Sequence, residues 1–567
     1  MFCPVRIHRR SFFLTVVACA VIYTSSVLYL QPALRSRVLH LAPDLQGAVS
    51  SHSKSLQAPV LFSDNDDNYG NEDNGVDDGE EAEVNDSDAW GDPYPYPLLY
   101  LPAREDFVKR RDAALNRVRS AQSIDVGVNG ALNRKVLWEL RLCLESSQRG
   151  ASDSPCLHAM PKVLVSSYEP MAFALHSRST EREVIWMRSA LSTLRNGGHF
   201  HLQIHANETV KVHRLLGDLV THWWFDETWL LKCIDSSACR QGPDNPEGIP
   251  LWKMFAASFM GSKPGDERWG APSRPWSFNP LGSEWTLTPY RMPDNHYYLG
   301  YTIEGCTHSQ VVPQHKRENT LKLLAKWASY FDAEETWDPS YYAKVRGKTG
   351  LDLVTVAMEP DGGKGELPGG LSSLGRLSKR DYHQLMSHAK AMLGIGLPSL
   401  PPSPFAALCL GVPVILPYWG DVSVPTGWDA FDPKIHQHAV AALEGPPYVY
   451  SVRIDGPVED LIKTVQTAVA TPIGRYIPPD MTVKALEQRV SRYLNTDWEE
   501  LARARIQAVA DTPDENNEED EEPVAAGEAA GASQDATPRA PRLPAFLRQW
   551  LRDEKERTQQ TSWFPDP

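Results

Sequence analysis

LGRLSKRDYHQLMSHAKAMLGIGLPSLPPSPFAALCLGVPVILP, residues 374–417, runs through a complete alternation of elements. KRDYHQLMSHAK (379–390) spaces its apolar residues as a helix does, and AMLGIG (391–396) reads as a short buried strand. A loop rich in Gly and Pro follows. Ser403-Pro404 then reads as N-cap and first residue of a second helix, Gly411 ends it, and PVILP is the next strand. Strand, helix and strand in this order predict parallel pairing with helices on the sheet faces.

The same pattern extends in both directions. Downstream lie the strand Tyr448–Val452 and a helix over 456–470; upstream lie the strand LDLVTVAM (351–358), a Gly-rich loop at 363–371 and a predicted helix over 316–330. Earlier, PKVLVSS (161–167), a helix at 181–195 and FHLQIHA (200–206) repeat the β–α–β order, behind helical sequence at 104–147. Two successive α/β units therefore predict two Rossmann-like domains, 104–335 and 336–510, which suits 567 residues at roughly 150 per domain.

The flanks differ in composition. Residues 11–30, SFFLTVVACAVIYTSSVLYL, carry no charge, are long enough to span a bilayer and follow Arg6, Arg9 and Arg10. They predict a transmembrane signal anchor with residues 1–10 cytoplasmic and the rest lumenal. The rival is a cleaved signal peptide ending at Ala18-Cys19-Ala20. Residues 31–103 read as an acidic, disordered stem, and 511–567 as an acidic tail. The net charge of -15 resides there: 64–92 hold thirteen acids and 511–522 eight more, leaving the remainder mildly basic. No basic arm or zinc-finger spacing asks for nucleic acid.

A lumenal address permits disulfides, and proximity suggests Cys143–Cys156 and Cys233–Cys239. Cys409, in an apolar helical pattern, reads as a buried free thiol. Sequons at Asn85 and Asn207 suit the same address. A sugar transferase that uses a divalent ion needs paired carboxylates against the diphosphate. The D-x-D matches, Asp64-Asn-Asp66 and Asp86-Ser-Asp88, fall in the stem and none in the core, so no metal cofactor is expected.

Residues 374–417 resemble the donor half of the N-acetylglucosaminyltransferase V family, glycosyltransferase family 18, at Gly394-x-Gly396-x-Pro398, Pro402-x-Pro404, Ala407 and Gly411. PWSFNP (275–280), MPDNHYYLGYTIE (292–304), GPPYVYSV (445–452) and 475–494 are similar to other segments of it. The resemblance implies a GT-B fold of two facing Rossmann-like domains in a single-pass type II Golgi protein. It implies an inverting, metal-independent transfer of N-acetylglucosamine from UDP-GlcNAc, β-1,6 to mannose of N-glycans on glycoproteins. It also implies donor contacts at Gly394, Gly396, Pro398, Ser403 and Pro404, and acceptor or cleft residues at Trp276, Asn279, Asp294 and Asn295.

Inversion needs one general base. The resemblance puts it on Glu183, although Thr180-x-x-Glu183 is equally a capping box. The family's two donor-site glutamates fall at Leu400 and Ala406 here, and its lysine at Tyr418. Leu and Ala accept no hydrogen bond, so a second reading stays open: a degenerate relative that binds glycan or nucleotide sugar without turnover. The aromatic residues of 269–301, Trp269, Trp276, Trp285, Tyr290, Tyr297 and Tyr298, read either as a sugar-stacking surface or as core.

Overall fold

A computed structural model describes residues 104–121, 129–150, 156, 159–176, 179, 181–242, 244–263, 277–359 and 366–511. The expected anchor 11–30, the stem, most of the tail, Asn85, Thr180, Trp269 and Trp276 lie outside them. Among the described residues no helix is long and apolar enough to cross a membrane.

The chain begins with α1 (Arg104–Ala121) and α2 (Gly130–Gln148), followed by β1 (Val163–Ser166), α3 (Glu169–His176), α4 (Arg182–Asn196) and β2 (Phe200–Gln203). Then come α5 (Thr209–Leu216), β3 (His222–Phe225), α6 (Glu227–Asp235), β4 (Met254–Ala257), β5 (Thr286–Thr288) and β6 (Tyr297–Tyr298). These six strands pair in the order β2-β1-β3-β4-β5-β6, all parallel. VLVS, HWWF and MFAA are buried at every position, as strands covered on both faces must be. On α4, Val184, Met187, Leu191 and Leu194 recur at helical spacing and are buried, which seats this helix on the sheet.

The second sheet starts with β7 (Thr320–Leu324), followed by α7 (Pro339–Thr349), β8 (Asp352–Thr355), β9 (Leu371–Ser373), α8 (Lys379–His388) and β10 (Ala391–Gly394). It ends with α9 (Ser403–Cys409), β11 (Val414–Tyr418), α10 (Ala439–Ala442), β12 (Val449–Arg453) and α11 (Val458–Ala470). Its order, β12-β11-β10-β7-β8-β9, is again wholly parallel. Counted from its own first strand, this is the order 6-5-4-1-2-3 of dinucleotide-binding sheets.

Three expectations need correction. The helix expected over 316–330 is β7 plus a short 3₁₀ turn, Ala328–Asp332. TLKLL is buried at all five positions, and one lysine inside a continuous apolar run made a strand look amphipathic. This strand belongs to the second sheet, so the boundary lies before 320 rather than at 335. The far boundary moves too. After the second sheet the chain returns, and α12 (Val483–Asn495) and α13 (Trp498–Asp511) pack on the first. Trp224 Nε1 donates to Tyr493 Oη at 2.7 Å, Tyr297 Oη donates to Arg489 O at 2.8 Å, and Trp498 meets Phe255 edge-on at 4.8 Å. Aromatic burial of this kind is a tertiary choice that no local pattern announces.

The third correction concerns Cys409. It is buried but not a free thiol, because its sulfur is bonded to Cys306 with the Cα atoms 6.2 Å apart. That bridge ties the segment ahead of β7 to the end of α9. Cys143 is bonded to Cys156, and Cys233 to Cys239.

Candidate active site

In open parallel sheets ligands collect beyond the carboxyl ends of the strands, where the winding direction reverses. Each sheet here has one such point. In the first it lies between β1 and β3, in the second between β7 and β10.

Beyond β1 and β3 the chain supplies Ser167, Tyr168, Asp226 and Glu227. Asp226 caps α6, its Oδ1 accepting the Trp229 amide at 3.0 Å. Burial pushes the Glu227 carboxyl above its usual range, and the charges of Asp226 and Glu183 add to this against a hydrogen bond from Ser258. Burial also drives the Tyr168 phenol well up, helped by Glu227 and Glu183. Glu183 therefore stands in an acidic group at the switch point, although it arrives from α4.

The N-cap of α4 is Glu181, whose side chain makes no capping bond, and Glu183 lies in the first turn. The carboxylate of Glu183 is bound instead by Arg182, Nε to Oε1, at 2.7 Å. An arginine in the first turn opposes the helix dipole. That anomaly was the signal that sequence reasoning passed over.

Beyond β7 and β10 the second sheet supplies Lys326 and the Gly-Pro loop. Gly394 lies at the end of β10, its carbonyl accepting Trp337 Nε1–H at 2.8 Å. Gly396 takes φ +112°, and a Cβ there would run into the Glu335 carbonyl, so only glycine fits. The Leu397–Pro398 peptide is cis, and Gln437 Nε2 donates to the Pro398 carbonyl at 3.2 Å. Leu400 is buried in the core at φ +49° with its amide donating to Gln437 O at 3.0 Å. Ser403 is not the N-cap expected of it. Pro402 holds that position without a capping bond. Pro404 is buried. Tyr418 lies at the end of β11, stacked at 6.4 Å on His436.

The two edges meet. Arg182 Nη1 donates to the Ser399 carbonyl of the Gly-Pro loop at 2.7 Å, while its guanidinium lies 4.5 Å above the Phe259 ring. Lys326 Nζ stands 3.6 Å from Glu181 Oε1. Tyr290 reaches across as well: its hydroxyl pairs with Tyr301 Oη at 2.9 Å, donates to Leu400 O at 3.3 Å and lies 3.4 Å from His438 Nε2. Glu183 is thus brought to the Gly-Pro loop through one side chain. Arg182, Glu181, Lys326 and Glu227 are the site residues that sequence reasoning did not single out.

Residues expected at the acceptor side divide. Asn279 is fully buried and spends its amide on Leu251 O, Met254 O and the Leu281 amide, so it shapes a turn and faces no acceptor. Asp294 and Asn295 are exposed, both left-handed at φ 59° and 60°, and Asp294 accepts Trp428 Nε1–H at 2.8 Å from the second domain. Trp285, Tyr290, Tyr297 and Tyr298 are core. Asn207 is exposed in a 3₁₀ turn. Among the described residues no group of three or more His, Cys, Asp or Glu side chains is placed to hold a metal ion.

Residues 256–510 match glycosyltransferase family 18. That span begins within β4 and takes in the whole second sheet. The α-1,6-mannosylglycoprotein 6-β-N-acetylglucosaminyltransferase A of Cricetulus griseus is 25% identical over 255 residues, 42% of this chain and 31% of that protein. The Homo sapiens protein of the same name is 24% identical over the same lengths. The chain thus matches about a third of the length of these relatives. Among solved structures, a spinosyn rhamnosyltransferase, SpnG, has a TM-score of 0.28 at 10% identity, covering 62% of this chain and 100% of its own. A putative UDP-N-acetylglucosamine 2-epimerase from Listeria monocytogenes has 0.31 at 11%, covering 62% and 98%. Likenesses of that size carry no weight, and the α/β architecture rests on the two parallel sheets.

Proposed function

We propose that the protein is an inverting glycosyltransferase of the GT-B type, transferring N-acetylglucosamine from UDP-GlcNAc in β-1,6 linkage to mannose of N-glycans. The observation that carries this reading is the meeting of Glu183 with the Gly-Pro loop across the domain gap through Arg182. The family 18 match and the names of the relatives support the donor and acceptor classes.

The chemistry follows from the two edges. The nucleotide sugar lies along the carboxyl ends of β7 and β10, against Gly394, Gly396 and Pro398. The acceptor hydroxyl approaches from the acidic edge of the first sheet. Its oxygen attacks the anomeric carbon as the bond to the diphosphate breaks. The bond's electron pair leaves with the phosphate oxygen, and the hydroxyl proton passes to the Glu183 carboxylate. One displacement inverts the centre. No metal enters this scheme, in which the Arg182 guanidinium would meet the charge on the leaving group. Lumenal placement behind the 11–30 anchor, in the Golgi, belongs to the same proposal.

Leu400 favours a second reading, because its buried, left-handed position offers the donor no side-chain acceptor. The test is transfer from UDP-GlcNAc to defined N-glycans by the full-length protein, with linkage analysis and a chelator control. A β-1,6 product formed equally with chelator is expected. A different linkage, or activity restored only by manganese, overturns the corresponding part. Nucleotide binding without any product establishes the degenerate reading instead.

A further inference from the structure

Arg182 belongs by sequence to the first domain, yet it bonds to the loop of the second. Its Nε serves Glu183 and its Nη1 serves the Ser399 carbonyl, each at 2.7 Å, and Nη2 has no partner among the described residues. The arginine and glutamate side chains are 28% and 29% exposed, so the pair stands open to the cleft rather than sealed in core. Phe259 at 4.5 Å holds the guanidinium plane. Resting on the function proposed above, we infer that Arg182 is the binding and positioning residue that couples the nucleotide diphosphate to the base. It is a fork held ready between Glu183 and the donor loop.

The exchange is favoured by the partners. Ser399 offers a neutral carbonyl, whereas a diphosphate oxygen is ionised, so a guanidinium–phosphate contact adds charge–charge attraction and can be bidentate. A nucleoside diphosphate entering over the loop therefore draws Nη1 and Nη2 to itself. The guanidinium has five donors in a fixed geometry, so bidentate capture of phosphate is open to it. Nε can stay on Glu183 Oε1 throughout, so the bound donor fixes the carboxylate beside it while Oε2 serves the acceptor hydroxyl. During transfer the charge that appears on the leaving diphosphate is met by the same guanidinium. The second sheet makes this cation necessary: Leu400, Ala406 and Tyr418 bring no charge to the loop, and Lys326 is turned to Glu181 at 3.6 Å.

The test uses the full-length protein with UDP as probe, in calorimetric titration, alongside transfer kinetics and melting temperature. Arg182→Ala is expected to weaken UDP binding by roughly tenfold or more and to lower kcat further than KM rises. Added guanidinium ion should restore part of both, which a merely structural role would not allow. Arg182→Lys is expected to recover most of the affinity and little of kcat, because an ammonium cannot fork. If Arg182→Ala does not fold, the lysine variant alone decides by that split between affinity and kcat. UDP affinity within twofold of the parent in Arg182→Ala, or an Arg182→Lys protein that keeps the parent's kcat, overturns the inference while leaving the transferase reading intact. A parent protein that binds no UDP overturns both.

Discussion

The two cleft-facing edges are built from the same topology and opposite chemistry. The first carries carboxylates, Asp226, Glu227 and, from α4, Glu183, set close enough that their charges act on one another. Around its Gly-Pro loop the second carries glycine, proline and backbone: Gly394, Gly396, the cis Leu397–Pro398 peptide and a buried Leu400. The proposed function would therefore divide proton chemistry and shape recognition between the domains. On the function proposed above, the first edge would hold and move a proton, while the second would take the ligand by contour and main-chain groups. Arg182 joins them.

The widest break in this comparison is at Glu183. Glu183→Gln keeps the shape and loses the basic oxygen, so transfer should fall by roughly 100- to 1000-fold with UDP binding and melting temperature near the parent's. A glutamine variant transferring at the parent rate would remove the first edge from the reaction.

Beneath the second edge lies a buried lysine, Lys322, in mid-β7 with the Tyr382 ring 5.3 Å away and the Leu323 carbonyl as acceptor. Burial pushes it down to about 7. The unfolded chain, titrating near 10.4, then binds a proton that the folded chain does not, so stability rises with pH between about 7 and about 10. Lys322→Met should flatten that rise and stabilise the fold at pH 7 by on the order of 2–4 kcal/mol. Denaturation midpoints from pH 7 to 9 measure it; a parallel rise in both proteins would show the slope to come from elsewhere.

Gly396→Ala forces a Cβ against the Glu335 carbonyl at a φ suited to glycine. A loss of about 2–3 kcal/mol of stability, or the equivalent in UDP affinity, is expected from urea unfolding and titration. An unchanged variant means that the loop's contour is not rigid. The smallest effect is at the bridge between edges. Tyr290→Phe leaves Tyr301 Oη and Leu400 O one partner short and should cost about 1 kcal/mol, with little effect on UDP binding.

Much of this was legible along the chain. The β–α–β segments near 161–206 and 374–417 announce themselves because buried parallel strands are short continuous apolar runs and their helices keep a 3.6-residue period. β7 was not, since Lys322 interrupts its run, and neither was the return of α12 and α13, which depends on Tyr493 and Trp498 finding Trp224 and Phe255. At the site, the glycines of the loop were readable because backbone demands leave few alternatives. Asn279 misled, as a buried amide and a ligand-binding amide look alike in sequence. Arg182 and Lys326 gain their roles only from what stands opposite them in space.

The order of the chain through the domains has a consequence for synthesis. The second sheet is a guest, inserted between the body of the first domain and the two helices that close it. The aromatic seat formed by Trp224, Phe255 and Tyr297 stays open until residues near 498 have left the ribosome. Folding from the N-terminus is thus held at an unfinished host while the guest completes itself. A nascent chain stopped at residue 482 should hold a protected second sheet beside a protease-sensitive first one, the reverse of their order of emergence.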